Sequence, residues 1–157
     1  MMHRRSLKMT STSRYDFTSA VEEHLGKAGY MEFFIPVDPV PASRPRVSKW
    51  GTYYGKTYEN FRTKVRAALR DLTNLSGEPM TGPIHCLIEI VAPKPKTTKR
   101  DYPRGDVDNF AKGPLDSMTS HGGFWNDDDQ VTALAVTKRY AESGEPTGVR
   151  IIYQEIV

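Results

Sequence analysis

Six aspartates, at positions 106, 108, 116, 127, 128 and 129, lie between Arg104 and Val131, and Lys112 is the only lysine or arginine among them. A fold that gathers so many carboxylates must neutralise them, because like charges a few ångströms apart repel. The usual neutraliser is a hard divalent cation, which prefers oxygen ligands. The six fall into two groups, separated by the turn-forming His121-Gly122-Gly123. A shared cation therefore demands a fold in which the second group returns to the first.

The body around this segment is basic. The net charge is only +3, but the charges are segregated. Arg44, Arg46, Lys49, Lys56, Arg62, Lys64, Arg66 and Arg70 face the single acid Glu59, and Lys94, Lys96, Lys99, Arg100 and Arg104 are opposed only by Asp101. Trp50, Tyr53, Tyr54 and Tyr58 are interleaved with the first run, a pattern that suits phosphate contacts and stacking on bases. A solvated helix face and a lysine-rich loop would give the same charge runs. The neighbouring carboxylates favour the polyanion reading, with Arg44, Arg46, Lys94, Lys96, Lys99, Arg100 and Arg104 as the nucleic-acid-contacting candidates.

The chain's 157 residues, 38% hydrophobic, fit one soluble domain plus a tail. No apolar run approaches the roughly 18 residues needed to cross a bilayer, so no membrane role is expected. The basic start is not followed by the apolar stretch of a signal peptide. One cysteine, Cys86, excludes an internal disulfide, and its apolar setting between Ile84 and Ile88 reads as a buried structural thiol. Three of the histidines, His3, His24 and His85, are scattered, which argues against a zinc site.

Residues 1–30 read as an extension, basic and disordered at first, with a short amphipathic helix at Phe17, Val21 and Leu25. The core domain, 31–157, begins with a strand at 31–37 that Pro36 limits. Pro39, Pro41 and Pro45 keep the next stretch extended or looped. A short strand at 52–54 follows, then a helix over 57–72 with Phe61, Val65 and Leu69 on one face. A strand at 83–91, a helix at 107–119 and strands at 131–140 and 148–156 complete the order β-β-α-β-α-β-β. That order predicts an α+β domain, two helices packed on a mostly antiparallel sheet.

Asp106 and Asp108 straddle the start of the second predicted helix, where a carboxylate can cap amides or point out to a cation. Asp108, Lys112 and Asp116 follow at four-residue intervals along one helix face, so Asp116 could also pair with Lys112. An EF-hand is excluded, since Phe110 and Ala111 occupy positions needing an oxygen ligand and a glycine. Pro114 should kink or restart the helix. Trp125 reads as a packing anchor for the aspartate turn, and His121 as a loop residue. Neighbours in an extended segment point to opposite sides, so Asp127, Asp128 and Asp129 cannot all serve one ion.

Asp106-x-Asp108-Asn109-x-x-Lys112-x-x-x-Asp116, followed by Gly123-Phe124-Trp125-x-Asp127-Asp128-x-Gln130-Val131, closely resembles the signature of the RusA-type Holliday junction resolvases. Pro41-Ala42-Ser43-Arg44-Pro45-Arg46 and Lys138 are similar too, and the resemblance covers residues 31–157. It implies a homodimeric, Mg2+-dependent endonuclease, with Mn2+ able to substitute, that makes paired symmetrical nicks in four-way DNA junctions. It further implies a cytoplasmic protein of a bacterium or of a phage within its host. Carried over by position, Asp106, Asp108 and Asp128 would bind metal, Asp127 would be the accompanying acid, and Lys112 the catalytic lysine. Two rival readings remain from the residues: a branched-DNA-binding module without turnover, and a nuclease for flaps or other branched DNA.

Overall fold

The computed structural model describes residues 30–72 and 78–156. The helix expected around Phe17, Val21 and Leu25 lies outside them. The chain order is β1 (Met31–Ile35), β2 (Arg46–Ser48), β3 (Gly51–Tyr53), α1 (Lys56–Leu72), β4 (Ile84–Ala92), α2 (Val107–His121), a 3-10 turn (Asp128–Gln130), β5 (Val131–Tyr140) and β6 (Gly148–Glu155).

β4 organises the domain because its sequence, Ile-His-Cys-Leu-Ile-Glu-Ile-Val-Ala, suits a strand buried on both faces. It pairs antiparallel with β6 and parallel with β5, and β1 closes the far edge on β6, giving the order β1-β6-β4-β5. The parallel pair needs a crossover, which α2 supplies. The remaining pairs are antiparallel, so the sheet is mixed and mostly antiparallel, as the sequence predicts.

Alternate residues of β4 (Ile84, Cys86, Ile88, Ile90) meet Tyr58, Phe61, Val65 and Leu69 of α1 and Phe110, Ala111 and Met118 of α2 in one core. Each large apolar side chain so buried contributes about 1.5–3 kcal/mol. Cys86 belongs to this core, and burial pushes its thiol up to about 12, an inert group. α2 runs unbroken through Pro114, so the helix does not restart there. Its neighbour Gly113 explains the local sequence, since a Cβ there would lie 2.9 Å from the Phe61 ring. A glycine lets α1 approach, and the buried Pro114 sacrifices a single helical hydrogen bond.

Two further differences from expectation concern the segment before α1. The second strand starts one residue early, and it pairs with Arg46–Ser48, which the prolines had marked as loop. The resulting hairpin is exposed, with Val47 at 83% and Trp50 at 87%. Gly51, at φ 121, permits its turn, and Ser48 Oγ accepts the Trp50 N–H at 3.2 Å.

On the sheet face away from the core, Glu89 is 1% exposed and lies between Arg139 (3.4 Å) and Arg150 (3.5 Å). Arg139 also pairs with Glu145 and Arg150 with Glu32, so one charge network ties all four strands. No helix of the described residues is long and apolar enough to cross a membrane.

Candidate active site

The first half of the site is built on the N-terminus of α2. Gly105, at φ 108, turns the chain into the helix, and Lys138 on β5 donates to the carbonyls of Pro103 (2.9 Å) and Gly105 (2.5 Å). Asp106 takes the N-cap position, yet its side chain makes no capping hydrogen bond. That exposed carboxylate is left uncommitted, beside Asp108 in the first turn. The partial positive charge of the helix end stabilises each by about 0.3–1 kcal/mol. Ala42 N–H donates to Asn109 O at 2.8 Å, which lays the Pro41–Arg46 segment against the same turn.

The second half is the aspartate turn after α2. Trp125 is fully buried, packs edge-on to Tyr153 at 5.6 Å and donates from Nε1 to Thr119 Oγ1 at 2.9 Å, the anchor its sequence position predicts. Gln130 then clamps the turn from both sides. Its side-chain carbonyl accepts the N–H groups of Asn126 (2.8 Å) and Asp127 (3.0 Å). Its amide donates to Met80 O (2.9 Å) and Gly82 O (3.1 Å) across the chain. Asp127 accepts the Asp129 N–H at 3.1 Å, so one of its oxygens serves the turn itself.

Asp128 is the electrostatically strained member. Its pKa is raised by partial burial, then by the hydrogen bond and charge of Asp127 and by the charge of Asp116. With the folded pKa raised, the contribution to stability is present at low pH and is lost as pH rises through that pKa. Ionised Asp128 is thus a position where a cation would relieve repulsion.

The turn does fold back onto α2, and it meets that helix beside Asp116. Asp108 and Asp116 are about 12 Å apart along the helix axis, with Lys112 midway. Lys112 is exposed and forms no ion pair with Asp116 or Asp108, so the anticipated Lys112–Asp116 pairing is absent. Among the described residues, no three His, Cys, Asp or Glu side chains stand close enough to hold a metal ion. The carboxylates fit a hard divalent cation in chemistry, being exposed oxygen donors. Asp108 and Asp116 flank Lys112 along the helix, and among the described residues no three carboxylates ring one point.

The family model of endodeoxyribonuclease RusA matches residues 36–152, which contain every part of this site. The chain belongs to this family. No curated protein matches it. Membership makes it an endodeoxyribonuclease of the Holliday-junction-resolving class.

In this RusA-family chain the basic candidates lie in two segments, 41–46 and 93–104, that adjoin the N-terminal half of the site. Arg44, Arg46, Lys94, Lys96, Lys99, Arg100 and Arg104 are all exposed. Arg100 stacks over Tyr102 at 4.8 Å, and Lys138 lies over the same ring at 5.5 Å. The sequence alone assigns no role to Gln130 or Lys138. Both act on backbone carbonyls more than 30 residues away, for which the motif spacing carries no signal.

Proposed function

We propose that the protein is a divalent-metal-dependent endonuclease that resolves four-way DNA junctions by paired nicks, acting as a homodimer. The observation that carries this reading is the meeting of three segments at one end of α2: the uncommitted carboxylates Asp106 and Asp108, the segment leading to Arg44 and Arg46, hydrogen-bonded through Ala42 to the same turn, and the basic loop 93–104 that leads into it. Two equivalent sites in a dimer would match the two equivalent strands of a two-fold symmetric junction.

Asp106, Asp108 and Asp128 would hold Mg2+, with Mn2+ as a substitute, by converging from the separate positions they occupy here. Asp127 is the accompanying acid, already engaged through one oxygen in holding the turn. When bound, such an ion supplies charge neutralisation at the scissile phosphate and a water of lowered pKa. Lys112, one helical turn from Asp108, offers a cation to the phosphate or the leaving oxygen. The arginines and lysines bind and orient the backbone, and Gln130 and Lys138 hold the two carboxylate-bearing turns in place. Of the three consecutive aspartates, Asp128 is favoured as ligand because Asp127 is occupied by the turn and Asp128 is crowded by negative charge.

The test is denaturing-gel mapping of end-labelled four-way junctions incubated with the protein and Mg2+ or Mn2+. Symmetrically paired nicks near the branch point support the reading. Tight binding with no nicking in either metal across pH would identify a binding module instead. Preferential cutting of flaps would move the substrate to other branched DNA.

A further inference from the structure

Beside the carboxylate face of α2, a groove of about 390 Å3 separates α2 from α1, lined among the described residues by Thr63, Arg66, Arg70, Ser117, Ser120 and His121. No acidic residue lines it. Arg66 and Arg70 are exposed, one helical turn apart, and neither has an ion-pair or hydrogen-bond partner among the described residues. Ser117 is 3% exposed, and its hydroxyl has no hydrogen-bond partner among the described residues. A helical serine would ordinarily return its proton to the carbonyl four residues back. A buried donor left unsatisfied calls for an explanation, and an absent acceptor is one. His121 also lines the groove, its Nδ1 accepting the Gly123 N–H at 3.2 Å.

Arg70 in the last turn of α1 would by itself be accounted for by the negative end of that helix. Arg66, a turn earlier, and the unsatisfied Ser117 are not. Two guanidinium groups with a buried hydroxyl donor compose a site for a tetrahedral oxyanion. The groove begins where the catalytic face ends, since Ser120 follows Asp116 by one turn, about 6 Å along α2. We propose that this groove binds a phosphodiester of the DNA strand that continues past the carboxylates along α2. The identity of the polyanion rests on the endonuclease reading; the anion site itself rests on the groove.

Binding of a fluorescently labelled four-way junction, measured in EDTA over a series of salt concentrations, tests it apart from cleavage. Arg66→Ala/Arg70→Ala should weaken binding on the order of tenfold and make the slope of log affinity against log salt shallower by about one unit. Arg66→Lys/Arg70→Lys should restore most of the slope. Ser117→Ala should weaken binding a few-fold while holding or raising the thermal midpoint, which a purely structural serine would not do. Lys64→Ala, on another side of α1 near Pro36–Val40, should leave the slope unchanged. A double-alanine variant that binds with wild-type slope overturns the groove, as does a Lys64→Ala variant that lowers the slope equally. A shallower slope in a protein that cuts no junction would keep the groove and remove the endonuclease reading; intact cutting with an unchanged slope would do the reverse.

Discussion

Glu89 and Asp128 are both carboxylates, and the fold treats them in opposite ways. Glu89 sits inside the sheet at 1% exposure with arginines at 3.4 and 3.5 Å, each of which has a second acid partner. Asp128 stands on the surface, and the neighbours that shift its pKa are the acids Asp127 and Asp116. Burial without a partner costs several kcal/mol, so the interior carboxylate had to be compensated by the chain. At the surface, solvent lets the chain tolerate repulsion that a ligand can later relieve. Compensated charge marks the scaffold here, and uncompensated charge marks the site.

The largest expected effect breaks this comparison on the functional side. Asp108→Asn should reduce junction cleavage on the order of 1,000-fold while retaining or tightening binding, because it removes a negative charge near phosphates. Its unfolding free energy should fall by no more than about 1 kcal/mol, the share contributed by the helix end. Cleavage at wild-type rate would remove Asp108 from the site.

On the scaffold side, Glu89→Ala should cost about 3 kcal/mol in urea unfolding, the low end for a broken buried pair, since Arg139 and Arg150 each keep one acid. The folded fraction should cut junctions normally. A loss below about 1 kcal/mol would mean the network is not a structural requirement.

Gln130→Ala tests the joint between the two regions. Removing a residue that holds a ligand-bearing turn costs about 10- to 100-fold in activity or metal affinity in comparable sites. Cleavage should fall by that factor, with junction affinity in EDTA unchanged. An equal drop in affinity would place Gln130 at the DNA instead.

The smallest effects belong to the basic rim. Alanine at Arg44, Arg46, Lys94, Lys96 or Lys99 should flatten the salt dependence of junction binding by about one unit each. Five unchanged slopes would turn these loops away from DNA.

The regular elements were legible because their sequences carry strong periodicity. The sequence predicts β5 at its observed limits, Val131–Tyr140, and α1 within one residue. It does not predict β2, because Pro45 precedes that strand and Arg46-Val47-Ser48 has no buried face to pattern. Of the site, the aspartates and Lys112 could be named from residue type and spacing. Gln130 and Lys138 could not be given roles, because their partners are main-chain carbonyls that carry no side-chain signature. Glu89 was hidden in an apolar run, its arginines arriving from β5 and β6, strands that follow much later.

The most direct measurement is calorimetric titration of Mn2+ into the wild-type protein and into Asp108→Asn and Asp128→Asn, each bound to an uncleavable junction. The account predicts saturable uptake by wild type and a marked loss in both variants, since one ion would draw on both segments. Uptake that survives in Asp128→Asn, or none in wild type, would contradict a shared metal site.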